Sequence, residues 1–314
     1  MKATTRSTAR RPLRVGVQLP EVEREVRWTE YLAMARQAED LGFDSIWLGD
    51  HLLYRYADGT SRGPWEAWTM LSGLAAATSR IRLGPLVACT AFHNPAVLAK
   101  QADTLDEISG GRFVLGLGAG WNETEFRAFG IPFDHRISRF EEAFAIIRTL
   151  LREGAVDFEG RFYQARDCEL RPRGPTPGGP PLLIGSTGER MLRITVPHVD
   201  AWNAWFVDTA NSPDGVAALR DRIDAACAEA GRDPATIERT VAVLVQLPGG
   251  TGRKTVDSLE PPPAAPLRGS PEEMAAELRR YAAVGIAEVQ LVVDPITRRS
   301  LDRLGPVLEL LDSG

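Results

Sequence analysis

Short runs of β-branched and aliphatic residues alternate along this chain with longer segments whose apolar residues recur every three to four positions. The alternation repeats eight times. The predicted strands lie at 13–19, 43–48, 81–88, 112–118, 182–185, 200–206, 239–247 and 287–293. The predicted helices lie at 28–41, 65–79, 94–108, 138–153, 189–196, 214–230, 270–284 and 298–311. Their ends carry the usual stop and start chemistry. Gly42 follows the first helix, Asn94-Pro95 opens the third, Ser138 and Glu141 have capping-box spacing, and Ser270-Pro271-Glu272-Glu273 repeats that box with proline in the first turn.

Strands alternating with helices build a parallel sheet covered by helices. Eight units exceed what an open doubly wound sheet usually holds, so the expected fold is an α/β (β/α)8 TIM barrel. No internal sequence repeat accompanies the count. The rhythm breaks once, between units 4 and 5. There, alternating apolar residues around Gly160 predict a small hairpin, and a Pro/Gly linker follows at 171–181, giving an insertion over about 155–181. Residues 248–269 read as a flexible loop. Residues 1–12, rich in Thr and Arg with no apolar core, read as a disordered tail, leaving 13–314 as a single domain.

Composition bears on partners. The formal net charge of -5, with basic residues scattered among acidic ones, gives no nucleic-acid surface. No apolar run approaches the roughly 20 residues of a membrane span. Cys89, Cys168 and Cys227 are odd in number and far apart, so they form neither a disulfide framework nor a metal site, and the expected compartment is the cytoplasm.

Enzymes on parallel sheets place their chemistry just past the carboxyl ends of strands. Asp50-His51 stands at such a place after the second strand, as an acid next to an imidazole able to move a proton near neutral pH. The alternative is a surface loop histidine. The run Gly116-Leu117-Gly118-Ala119-Gly120 fails the dinucleotide pattern, because Trp121 and Glu123 fill the third-glycine positions. Its glycines serve either close backbone approach to a flat ligand or a crowded barrel interior. Gly185-Ser186-Thr187-Gly188 is either an anion cradle or a helix-capping turn, and the stretch alone favours the turn. The tryptophans are more often core than ligand wall, and Trp121, following the glycine-rich exit, is the best exception. Gln18, Glu66, His93 and Trp202 complete the candidates for a substrate pocket. Cys89 has no assignable base and is not read as a nucleophile.

These stretches together resemble the bacterial-luciferase-like flavin and deazaflavin oxidoreductases. The resemblance rests on LGFDSIWLGDHL at 41–52, ATSRIRLG at 77–84, His93-Asn94-Pro95, LDEISGGR at 105–112, GLGAGWNE at 116–123, Gly130-Ile131-Pro132-Phe133 and IGSTGE at 184–189. It runs in order over roughly 13–310 and is most similar to the branch that uses coenzyme F420, an 8-hydroxy-5-deazaflavin. It implies hydride transfer between the deazaflavin and a small organic substrate, often in a homodimer. It also implies that Asp50 and His51 meet the ring and that a bulge with a non-prolyl cis peptide lies behind it around Leu86, Val87 and Ala88. Gly120 and Asn122 would follow at the strand 4 exit, and Gly185, Ser186, Thr187 and Gly188 would hold the cofactor phosphate, reversing the reading of that stretch alone. His51 and Trp121 are the expected catalytic positions. One departure stands out: some deazaflavin dehydrogenases of the family carry a catalytic Glu directly after the strand 4 glycines, where this chain has Trp121. The alternative on the same barrel is an FMN-dependent monooxygenase using oxygen and a flavin reductase partner.

Overall fold

The computed structural model describes residues 11–56, 58–252 and 264–313. Residues 1–10 of the expected tail and 253–263 of the expected loop fall outside them. The barrel strands are β1 (Arg14–Gln18), β2 (Ser45–Leu48), β3 (Arg82–Pro85, resuming at Ala88–Cys89), β4 (Leu115–Gly118), β5 (Leu182–Gly185), β6 (Ala201–Ala204), β7 (Glu238–Gln246) and β8 (Glu288–Asp294). The helices are α1 (Trp28–Leu41), α2 (Ala67–Ala77), α3 (Pro95–Ser109), α4 (Glu123–Ala128), α5 (Arg136–Glu153), α6 (Glu189–Thr195), α7 (Pro213–Glu229), α8 (Pro271–Ala283) and α9 (Arg298–Asp312).

All pairings in the main sheet are parallel. The order is β3, β2, β1, β8, β7, β6, β5, β4 and then β3 again. The first segment of β3 pairs with β2 and the second with β4, so the barrel closes through an interrupted strand. The interruption is Leu86–Val87, joined by a non-prolyl cis peptide, within the stretch where a bulge was expected.

Strand periodicity sorts the side chains into two layers. Val15, Val17, Ile46, Leu48, Leu115, Leu117, Val241, Val243, Val289 and Leu291 face outward and pack with Met34, Leu71, Leu98, Ile146 and Leu192 of the helices. Trp47, Leu86, Val114, Leu183 and Ala201 form a separate interior cluster.

Local chemistry sets the helix ends. Asn94 accepts from the amides of Ala96 and Val97, and Ser270 and Glu273 complete a capping box. Gly42 takes a left-handed φ of 88° and returns its amide to Ala38 and Glu39. The box expected at Ser138 does not form. The helix begins two residues earlier at Arg136, after His135 in a left-handed conformation, and the side chains of Ser138 and Glu141 instead accept from Arg190. The predicted helix over 65–79 is shorter, because Glu66 itself caps α2.

The insertion is an antiparallel hairpin, Ala155–Glu159 with Gln164–Glu169, between α5 and β5. A second small hairpin, Tyr54–Arg55 with Ser61–Arg62, lies between β2 and α2. Among the described residues no helix is long and apolar enough to cross a membrane.

Candidate active site

The carboxyl ends of β1 to β5 gather most of the residues singled out in the sequence. His51, just past β2, lies between two acids. Its Nδ1 is 2.9 Å from Glu125 Oε1, on α4, and its Nε2 is 3.8 Å from Glu21 Oε1, in the β1–α1 connection. The second Glu125 oxygen accepts from the backbone amides of Leu52 and Leu53. Glu125 therefore holds three donors from one continuous tripeptide, at 1% exposure. Glu21 accepts from Gln18 Nε2 at 3.0 Å and from the Tyr54 hydroxyl at 2.8 Å. Burial pushes the His51 imidazole down. The hydrogen bond to Glu125 and the charges of Glu21, Glu125 and Asp50 outweigh it, so its pKa lies above the ordinary histidine value.

The His51, Tyr54 and Trp121 rings form one wall, with centroids 4.8 Å (His51–Tyr54) and 5.5 Å (His51–Trp121) apart. Trp121 is 47% exposed and stands at the mouth. An indole has no proton to exchange near neutral pH, so the chemistry open to Trp121 is that of a wall and a stacking face. Asn122 is buried and donates to the Leu53 carbonyl at 2.9 Å, tying the β4 exit to the β2 exit.

Asp50 is buried, and its Oδ2 accepts from the Cys89 amide at 2.9 Å. His93 Nε2 faces the same oxygen at 3.5 Å without a hydrogen bond, and its ring meets Trp68 edge-on at 5.7 Å. His93 thus turns into the site and leaves helix capping to Asn94. Cys89 belongs to the same cluster, but burial, with the Asp50 charge adding to it, pushes its thiol up. It is no thiolate near neutral pH.

Space for the interrupted strand comes from the glycine run. A Cβ at Gly116 would stand 2.3 Å from the Pro85 carbonyl oxygen, and one at Gly118 2.8 Å from Val87 Cγ2. One at Gly185 would stand 3.0 Å from Val87 Cγ1. At Gly116 and Gly118 the crowded interior is a sufficient reason for glycine. Gly120 combines a φ of +75° with a Cβ position 2.5 Å from Cys89 Sγ, and its carbonyl accepts from Arg136.

Beyond Gly120, a cavity of about 360 Å³ is lined by Phe133, His135, Arg136, Ile137, Ser138 and Arg190. It adjoins the β5 exit, since Arg190 follows Gly188 by two residues. Gly188 has no atom closer than 4.0 Å to its Cβ position, and Ser186 and Thr187 are half-buried.

Two expected pocket residues stand elsewhere. Trp202 is fully buried in the layer between sheet and helices, with its indole N–H donating to the Ser186 carbonyl, so it supports the β5 exit from behind. Glu66 is exposed and spends both oxygens on the amides of Trp68 and Thr69. Glu21, Tyr54 and Glu125 were not singled out in the sequence. The signal for Glu125 is slight: an acid beside Phe126 in a segment too short to show a helical period.

The luciferase-like monooxygenase family model matches residues 12–248. A 5,10-methylenetetrahydromethanopterin reductase of Archaeoglobus fulgidus is 33% identical over 208 residues, covering 66% of this chain and 57% of that protein. A pyrimidine monooxygenase RutA of Agrobacterium fabrum is 33% identical over 192 residues, covering 57% of this chain and 49% of that protein. The chain thus spans about half the length of these curated relatives. Among solved structures, an F420-dependent secondary alcohol dehydrogenase in complex with an F420-acetone adduct superposes with a TM-score of 0.80 at 20% identity, over 95% of this chain and 99% of that one. A riboflavin lyase with modified FMN superposes with a TM-score of 0.74 at 17% identity, over 96% of this chain and 91% of that one. At such identities the likeness shows the fold. The family match covers most of the barrel, and with it the Asp50-His51 exit and the bulge: this chain belongs to the luciferase-like monooxygenases, a family of oxidoreductases.

Proposed function

We propose that the protein is a coenzyme F420-dependent oxidoreductase that moves hydride between the deazaflavin and a small organic substrate. The observation that carries this reading is His51, held against the buried Glu125 carboxylate at the β2 exit, next to Asp50, whose carboxylate is tied to Cys89 just past the strand 3 bulge that the β4 and β5 glycines make room for. The wider motif set and the reductase relative point the same way.

The residues present fit such a cofactor. Gln18 Oε1 and His93 Nε2 are buried polar atoms without a hydrogen-bond partner, both at strand exits around the bulge. An unsatisfied buried acceptor or donor costs about 1–3 kcal/mol, so groups left this way at a strand exit are ones a ligand would complete. Leu86, Val87 and Ala88 would back the ring, with Asp50 and Asn122 at its edge. Ser186, Thr187 and the backbone of Gly185 and Gly188 would hold the phosphate. Arg190 and Arg136 supply positive charge beside them, where the first turn of the long helix α5 also opens.

When bound, the deazaflavin supplies a two-electron hydride carrier, and the protein supplies position and charge. Asp50 is fixed by the Cys89 amide and presents a carboxylate to the ring-bearing side. The raised pKa of His51 favours its protonated form, from which it can deliver a proton to a substrate heteroatom, and in its neutral form it can take one back. The aromatic wall of Tyr54 and Trp121 limits access of water to that imidazole.

A second reading has its own support. The match to the pyrimidine monooxygenases RutA fits an FMN-dependent barrel that uses oxygen and a flavin reductase partner. Titration of the purified protein with F420 and with FMN, following each chromophore, separates the two. Saturable F420 binding with little or none of FMN is expected, and tight FMN binding alone overturns the deazaflavin reading. His51→Ala is expected to lower turnover by about 100-fold or more while leaving the circular dichroism spectrum unchanged. Unaltered turnover would remove His51 from the mechanism.

A further inference from the structure

The departure at Trp121 leaves a question of charge. The glutamate that some relatives carry directly after the strand 4 glycines is missing, yet α4 brings a buried carboxylate to the same exit. Glu125 lies four residues beyond Trp121 and reaches the imidazole rather than the open mouth. Its own position is over-determined. One oxygen meets His51 Nδ1, the other accepts two backbone amides, and Phe126 beside it is fully buried in contact with Phe92 and Phe133.

A carboxylate with ionised oxygens can only accept. Against such a carboxylate the contact at 2.9 Å calls for a proton on Nδ1, which makes the other ring nitrogen the free one. Among the described residues Nε2 has no hydrogen-bond partner. Its nearest charged neighbour is Glu21 Oε1, at 3.8 Å and beyond hydrogen-bond reach.

We propose that Glu125 is a positioning residue. It locks His51 with Nδ1–H toward α4, so that Nε2 is the atom that hands a proton to the substrate during reduction. The proposal rests on the hydride-transfer reading above. Hydride from the reduced deazaflavin adds to an electrophilic carbon of a C=O or C=N bond. The π electron pair moves to the heteroatom, which takes the Nε2 proton. His51 is left neutral, with its remaining proton still on Nδ1 and still bonded to Glu125. The charge lost at His51 equals the charge gained and then neutralised on the substrate.

The groups that face the imidazole are Glu125 from α4, Glu21 from the β1–α1 connection, Asp50 from the β2 exit and the Tyr54 phenol from the small hairpin. All three acids favour the charged ring, but only Glu125 is hydrogen-bonded to it. Only Glu125 can choose the tautomer.

The test uses the full chain, free of cofactor and labelled with ¹⁵N. Long-range proton–nitrogen spectra report the protonation and tautomer of each imidazole, with His51→Gln assigning the His51 signals. In the parent protein the neutral His51 ring is expected to carry its proton on Nδ1. In Glu125→Gln the titration is expected to fall by about one pH unit or more, a tenfold change in acid constant. The Nδ1–H preference is expected to weaken in the same variant. Glu125→Asp retains the charge and is expected to restore the tautomer with an intermediate titration, which a purely structural role would not require. A parent ring protonated on Nε2 overturns the proposal without any variant, as does a Glu125→Gln ring that titrates as the parent does. If Glu125→Gln does not fold, the parent tautomer and the Glu125→Asp titration still decide. With reduced F420 and a substrate, Glu125→Gln is expected to lower kcat by about 10- to 100-fold with KM little changed. A protein that binds FMN and no deazaflavin overturns the functional reading while leaving the imidazole titration standing.

Discussion

At Gly116 a Cβ would stand 2.3 Å from a backbone carbonyl, that of Pro85, and 3.0 Å from Val87 Cγ1. Neither neighbour is the end of a flexible side chain. Pro85 is the last residue before the interruption in β3, and Val87 is the second residue of the cis pair. Even an alanine here must push the bulge. Gly116→Ala is expected to lose about 1–3 kcal/mol of stability, the usual cost of overpacking a dense core. Cofactor affinity should fall with it, because the displaced residues are the proposed backing of the ring. Gly188→Ala is the matched control, with open space around its Cβ position. It is expected to leave the urea midpoint almost unmoved. A Gly116→Ala midpoint equal to that of Gly188→Ala would show that the bulge gives way freely. The glycines were visible in the sequence, but their reason was not. The atoms they avoid belong to a strand about 30 residues earlier, and no local pattern connects the two.

The helices show which parts of the chain could be read and which could not. α1, α3, α7, α8 and α9 are long enough for the apolar period to dominate, and their caps are short-range chemistry between neighbours. α4 spans six residues, Glu123–Ala128, too few for a period. The helix that delivers Glu125 was therefore missing from the sequence reading. The start of α5 was misread because Ser138 and Glu141 have the right spacing for a box but a better partner in space, the Arg190 guanidinium. Glu66 failed in the opposite direction. It stands among the pocket candidates of the sequence, whereas its oxygens satisfy two of the four amides that any helix start leaves open. Glu66→Ala is therefore expected to cost about 1 kcal/mol, a typical loss for an N-cap. The urea midpoint should fall with an unchanged slope, and F420 affinity should stay the same. A clear loss of affinity in a fully folded Glu66→Ala protein would return Glu66 to the site.

Across the whole barrel, the two ends of the strands do different work. The carboxyl ends carry Glu21, Asp50 and Glu125, the His51 and His93 imidazoles and the unpaired Gln18 Oε1 and His93 Nε2. The amino ends carry a charge network with its partners in place. There Glu288, at 2% exposure, accepts from Ser45 Oγ on β2, Arg14 Nε on β1 at 3.0 Å and Arg82 Nη1 on β3 at 3.3 Å. Arg14 also reaches Glu238 at the start of β7. One buried carboxylate thus ties four adjacent strands across the mouth, beside a cavity of about 370 Å³ lined in part by Trp47, Arg82 and Glu238. The sequence counted eight units but could not show this closure, which joins residues more than 200 positions apart. Removing one partner of a buried ionic network typically costs about 3–5 kcal/mol. Arg14 and Arg82 keep some contact with solvent, so Glu288→Ala should fall near the lower end. Its Tm is expected to drop by several degrees, while F420 affinity of the folded fraction, measured well below that Tm, changes less than twofold. His51→Ala should show the reverse pattern, turnover lost with a smaller drop in Tm, because Glu125 keeps its two backbone donors. If Glu288→Ala weakened F420 binding as much as it lowered the Tm, the barrel would be transmitting strain from one mouth to the other. The division between a stabilising end and a reacting end would then fail for this molecule.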